Sequence, residues 1–449
     1  MKNTKKLVAL AISSMVGISL LVTAPAHSAA CSSRTKFTME GTIKREIEQQ
    51  FMSAVKDYNA SQSCYTLEVY PNHPSSDTFL SIVTPKYAAH NAATIMYALQ
   101  EIPQMADKVI GWNGSPLAGL VPSNLLAAAT IKGKIVGIPS TVEAFGLLYN
   151  KAVLDKAGVD PTKIATRSDL EAAFKALQAK GFNAIHFSDV WWSLGAHFMN
   201  EYFTHAGATS SARLKVLDSL ANGSKNLSND PTWNDYVATF DLLKKYSDNT
   251  NPTFQDTEFL NSVADLASGK TGFLFQGNWA EPNLLQADPK GSYGIMNLPM
   301  NNDPKGYGND SIAVGVPGYF MIDRIDSTAA QRQGAKDFLT WLYTSPAGQH
   351  HVADAAGQNG AGGMGFIPVY NGFKVQAATY MAGAIAKYVG ANKTLEWVNT
   401  YFPAGGQNIY GDLGQKYMVG KITAADYAKG IQDAWKGKPK TWRGEAVSN

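Results

Sequence analysis

Apolar and polar positions switch between two periods along this chain, and the switches mark its elements. Residues 35–39 read as a strand. Then Ile43, Ile47, Phe51, Val55 and Tyr58 recur at helical spacing and predict an amphipathic helix over 42–59. A second strand is expected over 65–70, ending at Pro71, and a third in the apolar run 93–99 after another helical stretch. Strands alternating with helices imply a mostly parallel sheet covered by helices. Ligands of such sheets bind outside the carboxyl ends of the strands. The loops of interest are therefore those carrying Glu40, Asn72, Asp77 and Gln100.

The tract from Gly137 to Pro161, GIPSTVEAFGLLYNKAVLDKAGVDP, enters an apolar run at 144–149 and stops a short helix at Gly158 and Pro161. One acid, Glu143, interrupts the start of the run. A carboxylate there is costly unless it is paired or faces a cleft. A passage from one domain to another beside a binding site fits this pattern, and so does a core strand with an acidic first residue. Further on, Ser168 and Glu171 suggest a capping box for a helix ending at Gly181. Residues 185–206 are dense in aromatics, 230–268 read as helical, and 273–279 read as a buried strand ending at a glycine. A polar, turn-rich patch at 301–310 leads to 313–322. A helix over 328–343, helices beyond Phe366-Ile-Pro368 and a loose tail from Gly437 complete the reading.

The first thirty residues stand apart. Lys2, Lys5 and Lys6 precede an uncharged apolar run and then small residues, the pattern of a secretory signal. Removing it takes three lysines and no acid, which leaves 36 basic and 36 acidic residues and a formal charge of zero. No basic block suggests nucleic acid or anionic lipid as a partner. The length suits two or three domains, and 45% hydrophobic with 17% charged residues argues against disorder. Cys31 directly follows the small residues, where a lipoprotein would carry its lipid. With Cys64 it also makes an even count in an exported chain, and both precede strands that would end side by side if parallel. A Cys31–Cys64 disulfide is the favoured expectation.

H-E-x-x-H, C-x-x-C, P-loop and G-x-S-x-G patterns are missing. The G-x-G-x-x-G match at 360–365 follows a helix and precedes Phe366-Ile-Pro, so it reads as a turn. His350 and His351 are adjacent on a helix, which makes them poor joint metal ligands. No metal or cofactor is expected. The composition instead stands out for 9 Trp, 20 Tyr and 19 Phe, with Trp112, Trp191, Trp192, Trp279 and Tyr319 where loops or strand ends are expected. Sugar rings stack on aromatic faces, and sugar hydroxyls need paired polar groups such as Glu143, Gln276 and Asn278.

Five tracts, in order, carry a resemblance. They are Gly137-Ile-Pro…Glu143-Ala…Leu148-Tyr-Asn-Lys151; Asp169 to Gly181; Gly269-Lys-Thr-Gly-Phe-Leu-Phe-Gln-Gly277-Asn-Trp279; Lys336-Asp-Phe-Leu339…Ser345-Pro-Ala-Gly-Gln349 with Phe366-Ile-Pro368; and Thr423-Ala-Ala-Asp-Tyr427…Trp435. The chain resembles the family 1, maltose-binding-protein-like solute-binding proteins that feed carbohydrate ABC importers. The resemblance implies an α/β fold of two lobes joined by crossing hinge strands. It implies a first lobe of residues 31–141 plus 314–364 and a second of 142–313 plus 365–449, after a signal peptide of 1–30. It also implies a carbohydrate held between lobes that close on it, a permease as partner, a monomer and no catalysis. Glu143, Trp191, Trp192, Trp279, Val314 and Gly315 would face the ligand, with Glu40, Asn72, Asp77 and Gln100 contributed by the first lobe. The chain lacks the Pro-Asp that many members carry before the third strand, reading His90-Asn-Ala-Ala-Thr-Ile-Met-Tyr97 instead, which weakens the first-lobe assignments. The place would be the periplasm, or the outer face of the cytoplasmic membrane if Cys31 is lipidated. A secreted glycoside hydrolase, or the same fold carrying a peptide, polyamine or metal chelate, are the alternatives.

Overall fold

The computed structural model describes residues 31–44, 47–72, 79–248, 252, 254, 257–356, 361–375 and 379–445. The signal-like segment, Asp77 and Gly360 lie outside the described residues. In chain order the strands are β1 (Thr35–Thr42), β2 (Tyr65–Asn72), β3 (Ile95–Ala98), a small hairpin β4 (Thr130–Ile131) and β5 (Lys134–Ile135), and β6 (Ile138–Pro139). They continue with β7 (Glu143–Asn150), β8 (Asn183–His186), β9 (Thr271–Gly277), β10 (Tyr293–Met296), β11 (Ile312–Gly315), β12 (Tyr319–Ile322) and β13 (Thr394–Glu396).

Two larger sheets organise these strands. The first has the order β2-β1-β3-β12-β6, with β1, β2 and β3 parallel and β12 antiparallel to β3. Pairing of Thr35 with Tyr65 brings the chain just before each strand together, and there the Cys31 and Cys64 sulfurs are bonded with their Cα atoms 5.1 Å apart. The second sheet is centred on β7, which pairs with β9 on one side and with β11 and β10 on the other. Strands β8 and β13 extend it as parallel partners of β9 and β11. Nearly every residue of β7 is buried, as expected for a strand covered on both faces.

Each sheet has its own core. Phe37, Met39, Ile95, Phe338 and Leu339 pack together with the first, and Val83, Met96, Ile102 and Met321 form a smaller cluster. Phe145, Phe198, Trp233, Phe275, Tyr427 and Trp435 belong to a single larger core of the second. Core membership locates the passages between lobes. Gly315 is still paired in the second sheet, so the return passage follows it rather than preceding residue 314. Val369 and Tyr370 pack in the first core and Met381 in the second, so the last passage lies beyond residue 373 rather than at 365.

The first passage is firmly tied. The carbonyl of Pro139 accepts from Tyr370 Oη at 2.5 Å and that of Ser140 from Tyr343 Oη at 2.9 Å. Ser140 Oγ lies 2.9 Å from Tyr97 Oη, and Val142 N–H donates to the Ile367 carbonyl at 3.0 Å. Backbone groups that leave one sheet before joining the next are thus satisfied.

Four local readings are corrected. The first helix spans Glu48–Ser61, not 42–59, because Ile43 and Ile47 enter the first core from the approach to the helix. The capping box belongs to Thr166 and Asp169, while Ser168 Oγ donates to Asn302 Oδ1 and Glu171 accepts from Tyr246 Oη. The tail is not loose: Trp442 is buried in the second core, and its indole N–H donates to Asp218 at 2.9 Å. The helical stretch 230–268 is two helices, Pro231–Tyr246 and Thr257–Ala267.

Candidate functional site

Several chain ends converge where the first passage joins the second sheet. Glu143, the first residue of β7, sits opposite Gly315 at the end of β11, and Phe145 sits opposite Gly277 at the end of β9. Both glycines are dictated by close approach. A Cβ on Gly277 would lie 2.0 Å from the Trp279 ring, and one on Gly315 would lie 2.0 Å from the Cβ of Trp397. The chain can therefore lay two indoles against the sheet's backbone only because those strands end in glycine. Asn278 fixes the turn between Gly277 and Trp279 by accepting the Ala144 N–H at 2.8 Å.

The result is an aromatic box. The planes of Trp279 and Trp397 are parallel to within 10° with centroids 6.4 Å apart. The His197 ring is 4.5 Å from Trp279, 5.2 Å from Phe145, 5.6 Å from Trp192 and 5.7 Å from Trp397. His197 lies in a π-helical segment, Ser193–Phe198, of the kind often found at functional sites. Burial, and then the charge of Lys44, hold its pKa well below the usual histidine range, so the imidazole is neutral.

Charge enters from the first lobe. Lys44, just after β1, donates to both oxygens of Glu143, at 2.5 and 2.6 Å, and its Nζ stands 4.6 Å from the centre of the Trp279 ring. Glu143 is only 1% exposed, so this partner is what makes its burial tolerable. Gln100 also crosses between lobes, donating to the Asn399 carbonyl at 3.2 Å and to Gln407 Oε1 at 3.1 Å. Several buried polar atoms make no hydrogen bond to any described residue: Gln100 Oε1, Gln276 Oε1, His197 Nδ1, Trp397 Nε1 and Asn399 Oδ1. Such atoms are uncommon in native interiors and expected where a polar ligand completes them.

The residues singled out from sequence fare differently. Glu143, Trp279 and Gly315 meet at the box, and Trp192 reaches it through His197. Val314, next to Gly315, is half-buried and packs on the second core. Trp191 is half-buried, its indole nitrogen unpartnered, and its backbone lies against Gly411. Glu40 is buried in β1 and forms an ion pair with Lys86. Asn72 ends β2 opposite Thr42. Trp112 and Tyr319, expected near loops, are buried in the clusters of the first lobe. His350 and His351 diverge as their adjacency implied, one to Asp354 and the other to Asp57. Gly362 and Gly365 adopt left-handed backbone within the turn that the glycine-rich match suggested. Lys44, His197 and Trp397 were missed by sequence reasoning. An open groove of about 530 Å³ lies elsewhere, between the helix Glu48–Ser61 and the edge strand β2, and is lined mostly by apolar atoms. The box is favoured over it because the box has convergent polar groups and rigid rings. Among the described residues no helix is long and apolar enough to cross a membrane.

Comparison with known proteins agrees with this fold. The melibiose/raffinose/stachyose-binding protein MelE of Bacillus subtilis (strain 168) is 22% identical over 378 residues, which cover 80% of this chain and 83% of MelE. A Bacillus licheniformis sugar transporter solved with stachyose superposes with a TM-score of 0.69 at 16% identity, covering 89% of this chain and 98% of that one. The solute-binding protein RafE solved with raffinose gives 0.72 at 16% identity and the same coverages. These solved structures share the two-lobed α/β fold. The model of the bacterial extracellular solute-binding proteins matches residues 54–361, more than half of the sequence, and the chain belongs to that family.

Proposed function

We propose that this protein is the receptor of a carbohydrate ABC importer, taking an uncharged oligosaccharide between its lobes and presenting the closed form to a permease. The observation that carries this reading is the pair of parallel indoles, Trp279 and Trp397, with the unpartnered His197 Nδ1 and Trp397 Nε1 in the same cluster. Flat sugar faces stack on such rings, and hydroxyls supply the missing hydrogen bonds. In this role Trp279, Trp397 and Trp192 form the stacking surface, with Trp191 at its margin. Glu143 and Gln276 accept from hydroxyls, Val314 and Gly315 shape the wall, and Gln100 closes from the first lobe. Glu40 and Asn72, near the carboxyl ends of β1 and β2, and Asp77 would add contacts from that lobe. Ligand touching both lobes favours the closed population, which is how binding becomes a signal to the permease. The protein acts outside the cytoplasm as a monomer and performs no catalysis.

Calorimetry and thermal shift of the mature protein against melibiose, raffinose, stachyose, maltose oligomers and chitin oligomers test this. A true cargo at 100 times its dissociation constant adds about 2.7 kcal/mol to stability. Trp279→Ala should abolish the shift, and the sugar should be recovered uncleaved. A shift produced only by a peptide, polyamine or metal chelate overturns the cargo, and release of smaller sugars points to a hydrolase.

A further inference from the structure

The ion pair at the mouth of β7 is unusual in where its members come from. Lys44 follows Ile43 and precedes Ile47, both buried in the first core, so the loop that carries it belongs to the first lobe. Glu143 and Trp279 belong to the second sheet and its core. The Lys44 side chain is 28% exposed, yet its ammonium reaches a carboxylate that is 1% exposed and an indole face at 4.6 Å. A desolvated carboxylate beside an indole face is what binds an ammonium ion, through a charge-assisted hydrogen bond on one side and the ring quadrupole on the other.

We propose that Glu143 and Trp279 form an ammonium receptor that the protein fills with its own Lys44, and that this makes the cleft select uncharged sugars over amino sugars. The proposal rests on the carbohydrate-receptor reading and adds a rule of discrimination to it. A hydroxyl can bond to either member of the pair without separating them. A protonated amino group gains full value only by displacing Lys44, which leaves one of two cations without a carboxylate. Discrimination of this kind comes from a repulsive element as much as from an attractive one. The same contact ties the first lobe to the second, so Lys44 also holds the lobes together before cargo arrives. His197, kept neutral at the Trp279 ring, adds no competing charge to the receptor.

Removing the lysine head should turn the receptor outward. The mature wild type, Lys44→Ala, and the double variant Lys44→Ala/Glu143→Gln are titrated with ethylammonium chloride at pH 7.5, with potassium chloride as the ionic-strength control and tryptophan fluorescence as the readout. Each is also titrated with a chitin disaccharide and with its deacetylated diamine. Ethylammonium should saturably change the fluorescence of Lys44→Ala and leave the other two proteins unmoved. The ratio of diamine to acetylated affinity should rise at least tenfold in Lys44→Ala. If Lys44→Ala does not fold, Lys44→Met removes the ammonium while keeping the stem, with the same results expected. A single-site variant that ignores ethylammonium and keeps the wild-type affinity ratio overturns the proposal. If no sugar binds any variant but ethylammonium fills Lys44→Ala, the receptor stands and the carbohydrate reading falls. If sugars bind with unchanged discrimination and ethylammonium has no effect, the receptor falls and the carbohydrate reading stands.

Discussion

The two lobes solve the same architectural problem with different materials. The second core buries Trp233, Trp279, Trp397, Trp435 and Trp442, whereas the main core of the first buries Trp112. The first lobe has a covalent staple between Cys31 and Cys64. The second instead buries His186 between Asp248, at 2.7 Å, and Glu258, with Ser188 donating to Glu258 at 2.9 Å. The difference teaches how recognition is divided. In the proposed receptor, large rings with few rotamers would give the second lobe a floor that loses little entropy on binding. Long polar side chains, Lys44 and Gln100, reach from the first lobe to Glu143 and Gln407 of the second.

If the lobes are this distinct, damage to one should stay there. The largest effect is expected from His186→Ala, which leaves two carboxylates buried without their cation. Breaking such a pair costs about 3–5 kcal/mol. Hydrogen exchange should show the loss in β8, β9 and their helices, with protection of β1–β3 unchanged; uniform loss through both sheets would break the comparison. Cys31→Ser should cost about 3–4 kcal/mol by the loop-entropy model for residues 33 apart, read as earlier unfolding of the first lobe alone. Gly277→Ala pushes a methyl into the Trp279 ring and should cost about 1–3 kcal/mol. Near-ultraviolet circular dichroism should register the moved indole, and sugar affinity should fall with it.

The smallest effect is in pH. Burial opposes charge on His186, but the Asp248 and Glu258 carboxylates, which accept from and attract its ring, overcome it and raise its pKa to about 10. The folded protein then holds a proton that the unfolded chain releases above about pH 6.5, so this stabilisation is complete below that pH and is lost as pH rises toward 10. Urea denaturation at pH 7.5 and 8.5 should differ by about 1 kcal/mol, and His186→Gln should flatten the difference. His205 has the opposite sense. Burial lowers its pKa to about 4, so its contribution is present above about pH 6.5 and is lost on acidification.

What could be read from sequence follows from how local each signal was. The opening strand–helix–strand order and the buried run of β7 are carried by periodicity within a few residues, and they are as expected. Glu143 and Gly277-Asn-Trp279 were legible because an acid in an apolar run, and a glycine two residues before an indole, are locally odd. Trp397 was not legible: Glu396-Trp397-Val398 looks like ordinary core, and only the β13–β11–β7 pairing brings it to Glu143. Lys44 was hidden by Ile43 and Ile47, whose four-residue spacing mimics a helix and turned the lysine into a solvent-facing helical residue. His197 lacked any local mark, since its neighbours come from four separate segments of the chain. The capping box was displaced by two residues because Thr166/Asp169 and Ser168/Glu171 have the same spacing.

The three passages between the lobes have a consequence for how the molecule is made. The first core needs Val369 and Tyr370, and the second needs Trp435 and Trp442. A ribosome will therefore have released most of the chain before either lobe can close its interior, and no early fragment contains a finished folding unit. The order of the segments itself thus delays burial until the last helices have emerged.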